Sequence, residues 1–320
     1  MTTAVPKRRR LRFDCTRCGA ASDAFPETQR AAARTCRDCF GKGVDRRTRE
    51  LNDLTGREWA QASRSVENYP DTRSAKQRKH GAAFPLSLAR QQISVYTKRG
   101  DVVLDPFVGV GTTLDACSEL GRRGIGVELN EEFAEIAARG VEHDAAQRVV
   151  HGDALELGRY VPPDTVDFVL TSPPYAALLN GVRGAFAYKW QEHSRITPVR
   201  NPAPYSDHPR DLGNMPYPDY LDAVEGCLAQ SQKVLRDDAY AAWVVKDFRG
   251  LKNNVPYVPF HMHLMQRAEA AGFVLWDLQI YDQTKFRPLV CLGYPSRNFY
   301  LNIGHSYVVI LRKRSPWTSR

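Results

Sequence analysis

The chain has 320 residues, 42% of them hydrophobic and 25% charged, which is an ordinary composition for a globular protein. It contains no apolar run of about 18 residues, so the sequence predicts no membrane span. The charged N-terminus is not followed by the apolar stretch of a secretory signal. We therefore expect a cytoplasmic protein with one large domain, alone or beside a small one.

The positive charge is concentrated in the first third of the chain. The formal net charge is +9, yet residues 1–50 alone contain thirteen Lys or Arg against six Asp or Glu, and residues 51–100 contain nine against four. Residues 101–320 are therefore slightly acidic. A concentrated basic region is typical of proteins that bind the phosphate backbone. We predict contact with nucleic acid there, and a solubilising tail is the alternative.

Four cysteines near the N-terminus form two pairs, Cys15-x2-Cys18 and Cys36-x2-Cys39. Two such pairs about twenty residues apart can bring four thiolates into a tetrahedron around zinc. With four thiolates no position stays open for water, so the site is predicted to be structural. Disulfides or free thiols are the alternatives, and disulfides fit poorly with a cytosolic chain. Residues 1–50 resemble a zinc ribbon or knuckle, and residues 51–80 are expected to be a helical or irregular connector.

Short apolar runs alternate with helical stretches from about residue 84 onward, which predicts one doubly wound parallel α/β domain over residues 81–320. The predicted strands are Asp101–Asp105, Gly124–Glu128, Arg148–His151, Val166–Thr171, Ala239–Val245, Phe273–Tyr281 and His305–Arg312. The predicted helices are Leu86–Lys98, Thr112–Leu120, Glu131–Arg139, Tyr217–Leu235 and Phe260–Ala271.

A glycine-rich loop follows the first predicted strand, with the sequence Asp-Pro-Phe-Val-Gly-Val-Gly-Thr-Thr at 105–113. Such a turn between strand and helix lets the main chain approach a ligand closely. Acids end or follow the first three strands, at Asp105, Glu128 and Asp153. A carboxylate can hold both ribose hydroxyls or accept from an adenine amine, so the pattern favours an adenosine ligand. No phosphate loop with a lysine is present, which argues against a nucleoside triphosphate.

The fourth predicted strand ends in Thr171, followed by Ser172-Pro173-Pro174-Tyr175. An amine on a base ring is a poor nucleophile because its lone pair is delocalised into the ring. Acceptors for the amine hydrogens, such as a serine hydroxyl and a proline carbonyl, localise that pair. The prolines fix the local main chain, and the tyrosine offers a face for stacking a base lifted from the duplex. A proline-rich turn that merely closes a strand is the alternative.

Together, the loop at 105–113 and the motif at 172–175 resemble the DNA amino-methyltransferases that modify cytosine N4 or adenine N6. The segment His80-Gly-Ala-Ala-Phe-Pro resembles the motif with which that family helps to hold the methionine part of its cofactor. The resemblance implies a seven-stranded Rossmann-like sheet with an antiparallel last strand, and S-adenosylmethionine as methyl donor. By position it implies cofactor contacts from Phe84, Pro85, Asp105, Pro106, Phe107, Gly109, Gly111, Thr112, Thr113, Glu128 and Asp153. It also implies that Ser172, Pro173, Pro174 and Tyr175 hold the target amine.

The resemblance therefore predicts a DNA methyltransferase, and the cysteine spacing adds a structural zinc. Serine at the head of the tetrapeptide favours cytosine N4 over adenine N6, since family members with aspartate or asparagine there more often modify adenine. Two long segments, 176–214 and 283–302, are candidates for contact with DNA because they combine Arg, Tyr, Pro and Gly. A methyltransferase for RNA or a protein amide, and an inactive zinc-dependent DNA-binding protein, are the further alternatives.

Overall fold

The computed structural model describes residues 11–15, 21–24, 26, 51–70, 73–81, 83–175, 206–250, 255–285 and 300–314. The chain divides into two compact units, Met1–Asp53 and Leu54–Arg320. The boundary lies close to the predicted end of the N-terminal module. Residues 54–80, which lie in the predicted connector, are grouped with the larger unit. In the described part of the chain, no helix is both long and apolar enough to cross a membrane.

The smaller unit contains an antiparallel pair of strands, β1 (Leu11–Asp14) and β2 (Ala21–Ala24). The buried ring of Phe13 packs against Ala24 across this pair. Cys15 follows β1 directly and is buried. The other three predicted zinc ligands, Cys18, Cys36 and Cys39, lie outside the described residues. No group of three or more His, Cys, Asp or Glu that could hold a metal occurs in the described ranges, so the zinc site stays a prediction.

The larger unit alternates strands and helices. Its helices are α1 (Gly56–Ala62), α2 (Ala75–His80), α3 (Leu86–Tyr96), α4 (Thr112–Leu120), α5 (Glu131–Gly140), α6 (Tyr217–Val234) and α7 (Phe260–Ala270). Its strands are β3 (Val66–Glu67), β4 (Val102–Asp105), β5 (Arg123–Glu128), β6 (Gln147–His151), β7 (Val166–Thr171), β8 (Leu235–Val245), β9 (Phe248–Gly250), β10 (Val255–Val258), β11 (Phe273–Asp282) and β12 (His305–Lys313). Two short 3₁₀ helices lie at Ala154–Arg159 and Leu212–Asn214.

Eight strands form the central sheet in the order β3-β11-β12-β8-β7-β4-β5-β6. β12 alone runs antiparallel to its neighbours β8 and β11, and the other pairings are parallel. The α/β fold with a Rossmann-like sheet and an antiparallel last strand is thus confirmed. The sheet has one strand more than the seven predicted, because Val66–Glu67 pairs with Ile280 and Tyr281 of β11. Two residues in a polar segment give no strand pattern, so the sequence does not predict this edge strand.

The start of β8 also differs from the prediction. The strand begins at Leu235, directly after α6, and Leu235 pairs with Val166 of β7. The polar residues Arg236 and Asp237 are exposed there, and Asp238 has a left-handed φ of 62° next to an irregularity in the register. Polar, exposed residues hide a strand from any analysis of hydrophobic pattern.

Apolar side chains cover both faces of the sheet, as expected for strands buried between helices. On one face Val169, Trp243 and Val309 pack with residues of α6 and α7. On the other face Phe168, Leu170 and Val308 pack with residues of α3 and α4. These layers fix the carboxyl ends of β4, β5, β6 and β7, where the loops predicted to carry the chemistry begin.

Candidate active site

The loop after β4 depends on two glycines with left-handed main chain. Gly109 has a φ of 54°, and Gly111, which precedes the first residue of α4, has a φ of 92°. A side chain at Gly111 would also approach the Cβ atom of Ala137 to 3.2 Å. Glycine is therefore required for α4 to begin so close to the end of β4. The turn brings Pro106 and Phe107 to the surface of a cleft.

Asp105 ends β4 and is 1% exposed. Its carboxylate accepts hydrogen bonds from Thr113 Oγ1 at 2.5 Å, from Thr171 Oγ1 at 2.7 Å and from the Phe107 amide at 3.0 Å. Burial raises the pKa of Asp105 to about 6, against the opposing effect of these three donors. Asp105 thus holds the loop together from beneath, and it is not among the residues that line the cleft.

Glu128 ends β5 and faces the cleft. Its oxygens accept from the Gly109 amide at 2.8 Å and from the Asn130 amide at 2.9 Å. Burial raises the pKa of Glu128 to about 7, although both amides favour the charged form. The carboxylate therefore connects the glycine loop to the start of α5 while it remains open to a ligand.

Asp153 follows β6 and caps the 3₁₀ helix through the Leu155 amide, which donates to its Oδ1 at 2.8 Å. Arg210 Nε lies 2.8 Å from Asp153 Oδ2, in an ion pair that lacks the alignment of a hydrogen bond. The same guanidinium donates to Glu156 Oε1 at 3.0 Å. Asp153 is thus a nearly buried acid at the cleft that already has a cationic neighbour.

The residues Ser172, Pro173, Pro174 and Tyr175 follow β7 directly and all line the same cleft. The ring of Tyr175 meets Phe260, the first residue of α7, edge to face with centroids 6.2 Å apart. β7 lies beside β4 in the sheet, so the two loops emerge next to each other. Residues of both motifs therefore line one cleft.

The cleft has an acidic lining. Glu128, Asp153 and Asp211 contribute carboxylates, whereas none of the lining residues in the described part of the chain is Lys or Arg. Phe107, Phe133 and Tyr175 contribute aromatic rings. A cleft of this kind suits a cationic, partly aromatic ligand and does not suit a phosphate.

Comparison with known proteins finds a family match over part of the chain. Residues 27–139 match the sequence model of a family described as DNA methylase, the N6 and N4 methyltransferases. The match supports the resemblance to the DNA amino-methyltransferases over these residues. The matched region carries the glycine loop and Glu128, and it ends before Asp153 and Ser172.

Curated methyltransferases match shorter stretches of the chain. The Type II methyltransferase M.BglI of Bacillus subtilis is 39% identical over 94 residues, which are 29% of this chain and 26% of that protein. M.MthZI of Methanothermobacter thermautotrophicus is 48% identical over 59 residues, 18% of this chain and 17% of that protein. The chain thus matches about a quarter or less of the length of these relatives.

Among solved structures, TrmN from Thermus thermophilus is 18% identical, with a TM-score of 0.44. It covers 76% of this chain and 55% of its own length. That likeness is too low to carry an argument, so the Rossmann-like α/β fold rests on the strand order of the sheet itself.

Several residues that the family resemblance assigns to the cofactor lie outside the lining of the cleft. Phe84 packs against the core beneath α3, and its carbonyl accepts from Gln77 Nε2 at 3.2 Å. Thr112 Oγ1 accepts from the same amide at 3.2 Å. Thr113 is bound to Asp105. The remaining residues of this set, which also do not line the cleft, are Pro85, which precedes α3, and the loop glycines Gly109 and Gly111.

The structure adds residues to this cleft that the prediction missed. Asp211 is 4% exposed and accepts from the Gly213 amide at 2.8 Å and from Ser206 Oγ at 2.9 Å. His80 and Phe133 face the cleft from α2 and α5, with ring centroids 4.8 Å apart. His80 begins the segment that resembles a cofactor motif, and that resemblance was the signal in the sequence that could have placed His80 at the cleft. Asp211 follows no strand, so nothing in the pattern marked it.

Most of the two predicted DNA-contact segments lies outside the described residues. The structure describes residues 206–214 of the first and residues 283–285 and 300–302 of the second. The expected DNA contacts of these segments therefore stay predictions.

Proposed function

We propose that the chain is a methyltransferase that transfers a methyl group from S-adenosylmethionine to the exocyclic amine of a base in DNA. The observation that carries the proposal is the shared cleft. The loop after β4 and the motif Ser172–Tyr175 open into it side by side. One loop suits a cofactor, and the other offers acceptors for an amine.

The described residues fit this cofactor. S-adenosylmethionine carries positive charge on its ammonium and sulfonium groups, and the cleft offers three carboxylates without a lining Lys or Arg among the residues described. Glu128 would hold the ribose hydroxyls, and Asp153 would accept from the adenine amine once it turns from Arg210. The aromatic rings of Phe107 and Phe133 line the same cleft and offer apolar surface.

The bound cofactor supplies an electrophilic methyl group. The work of this chain is to orient the amine and to make it a better nucleophile. Ser172 offers a hydroxyl oxygen and Pro173 a carbonyl oxygen to the two amine hydrogens, which favours a localised lone pair. Tyr175 offers a ring against which the extruded base can stack. Positioning of this kind can supply much of the rate without a strong base.

Within this function, cytosine N4 is proposed as the target in preference to adenine N6. The support is Ser172, since serine at the head of the tetrapeptide is the form that more often accompanies cytosine in this family. A neutral hydroxyl does not by itself select one base, because both amines are planar and conjugated. We propose that Tyr175 and the segment 176–214 form the walls that do so.

The test is to express the chain in a host without DNA methylation and to analyse digested genomic DNA by mass spectrometry. The expected product is N4-methyl-2′-deoxycytidine, absent from the same host without the chain. N6-methyl-2′-deoxyadenosine would contradict the cytosine proposal and leave the amino-methyltransferase standing. If DNA carries neither nucleoside, the DNA proposal fails, and digests of RNA and protein from the same cells test the alternatives.

Replacing Glu128 by alanine is expected to weaken the binding of S-adenosylmethionine by about 1.5–3 kcal/mol, because a charge-assisted hydrogen bond to the ribose is lost. The wild-type affinity should also rise with pH through about 7, where burial has placed the pKa of this carboxyl, since only the carboxylate accepts from both hydroxyls. The variant should lose this pH dependence. Titration calorimetry across that pH range measures both effects.

The matched control is Glu142→Gln, which removes a charge from an exposed side chain outside the cleft. It should bind the cofactor as the wild type does. An affinity of Glu128→Ala equal to that of the control at pH 8 would contradict the assignment of Glu128 to the ribose.

We also propose that Cys15, Cys18, Cys36 and Cys39 bind one structural zinc, and that the basic residues around them contact DNA. Burial of Cys15 directly after β1 is compatible with this role. Purified protein is expected to contain one zinc per chain, and chelation should unfold residues 1–50 while the larger unit stays folded. Metal analysis and proteolysis after chelation measure this. Zinc-free protein with four reactive thiols at these positions would exclude the site.

A further inference from the structure

The carboxylate of Asp105 joins the two loops of the cleft. Its Oδ1 accepts from Thr171 Oγ1 at 2.7 Å and from the Phe107 amide at 3.0 Å, and its Oδ2 accepts from Thr113 Oγ1 at 2.5 Å. One side chain thus binds the glycine loop, the first turn of α4 and the end of β7. Neither the cofactor contacts nor the amine acceptors proposed above use this link.

Both partners of the link are sealed from solvent. Asp105 is 1% exposed and Thr171 is 0% exposed. They end adjacent parallel strands, since Leu104 of β4 pairs with Val169 of β7. A hydrogen bond to a carboxylate is stronger than a neutral one, and more so in a low-dielectric interior. The bond therefore fixes the two strand ends relative to each other.

Thr171 is followed directly by Ser172, Pro173 and Pro174. Two consecutive prolines have fixed φ angles, so this segment has little freedom to adjust after its first residue. A shift at Thr171 would therefore be passed on to the Ser172 hydroxyl and the Pro173 carbonyl. Methyl transfer is sensitive to such a shift, because misplacement of the reacting groups by about 1 Å can lower the rate by about two orders of magnitude.

We propose that Thr171 is a positioning residue for methyl transfer: its hydroxyl, bound to Asp105, sets where the amine acceptors lie relative to the glycine loop. The proposal rests on the proposed function. It gives Asp105 the role of a connection between two loops in place of a direct contact to the cofactor. Thr171 touches neither ligand and acts through Ser172 and Pro173.

The decisive variants are Thr171→Val, which keeps the shape and removes the hydroxyl, and Thr171→Ser, which keeps the hydroxyl. Thr171→Val should lower kcat on DNA by about tenfold or more and leave the Kd for S-adenosylmethionine within about twofold of wild type. Thr171→Ser should restore most of kcat. A role in stability alone would not separate kcat from Kd in this way.

Thr113→Val is the matched comparison, because it removes a second buried hydroxyl from the same carboxylate on the side of α4. It should affect the Kd for S-adenosylmethionine more than kcat. Three results would overturn the proposal: a wild-type kcat in Thr171→Val, a kcat in Thr171→Ser as low as in Thr171→Val, or an equal kcat loss in Thr113→Val.

Amide hydrogen exchange of the ligand-free protein gives a readout that does not need activity. Exchange at Ser172 and Tyr175 should be about tenfold faster in Thr171→Val than in wild type or Thr171→Ser. The reason is that the residue before the loop loses its hydrogen bond to Asp105. Unchanged exchange would overturn the proposal. If the wild-type chain methylates no DNA, the proposed function fails, and the exchange measurement still decides whether Thr171 positions the loop.

Discussion

Replacing Asp105 by alanine is expected to lower the free energy of unfolding by about 3–5 kcal/mol, because three buried donors would lose their common acceptor. A loss of this size is a large part of the stability of an ordinary domain. Urea unfolding followed by circular dichroism measures it. A loss below about 1 kcal/mol would show that the loop rearranges to satisfy the donors elsewhere.

Asp105→Asn is the control that keeps the size of the side chain and removes its charge. Burial raises the pKa of Asp105 from its ordinary 3.8 to about 6, so between these values the folded chain binds more protons than the unfolded chain. The contribution of this group to the free energy of unfolding is therefore present at low pH and is lost as the pH rises through about 6. Asp105→Asn should remove that part of the pH dependence, and an unchanged pH profile would contradict the burial of an ionisable group there.

Replacing Ser172 by alanine is expected to lower kcat by about 100-fold, or about 2.7 kcal/mol in activation free energy, because the amine loses one of its two acceptors. The Kd for S-adenosylmethionine should change much less, since the lost contact is to the target. Single-turnover methylation with labelled cofactor gives the rate, and calorimetry gives the Kd.

Ser65→Ala serves as the comparison, since it removes an exposed hydroxyl outside the cleft. It should methylate at the wild-type rate. If Ser172→Ala did the same, the hydroxyl would have no part in the reaction, and the Pro173 carbonyl would be the remaining acceptor. If it weakened cofactor binding as much as turnover, Ser172 would belong to the cofactor side of the cleft.

Much of the fold follows from local pattern. The helix Thr112–Leu120 has the predicted bounds because left-handed glycines, Gly111 and Gly121, flank it. The strand Val166–Thr171 also has its predicted bounds, since it is a short, mainly apolar run that follows the polar residues Asp164 and Thr165. Where pairing forms a strand that is only two residues long, as at Val66–Glu67, or mostly polar, as at the start of β8, the sequence carries no periodicity to detect.

The site was predictable to the extent that the carboxyl ends of parallel strands meet at one edge. This rule brings Glu128, Asp153 and Ser172 to one cleft, as expected. It does not distinguish an acid that faces a ligand from an acid buried below it, and Asp105 proved to be the second kind. The buried position of Asp105 depends on its hydrogen bond with Thr171, which lies 66 residues further along the chain. Asp211 reaches the cleft through a segment whose pattern resembles a loop.

The edge strand Val66–Glu67 limits how far the larger unit can be truncated from its N-terminal end. The Ile280 amide donates to the Ser65 carbonyl at 2.7 Å, and Gln279 Nε2 donates to the Arg64 carbonyl at the same distance. The hydroxyl of the buried Tyr69 donates to the side-chain oxygen Oε1 of Gln279. A chain that begins at residue 81 would strip these partners from β11 and leave its edge open to strands of other molecules, which is a common origin of aggregation. The smallest soluble form of the larger unit should therefore begin near Leu54.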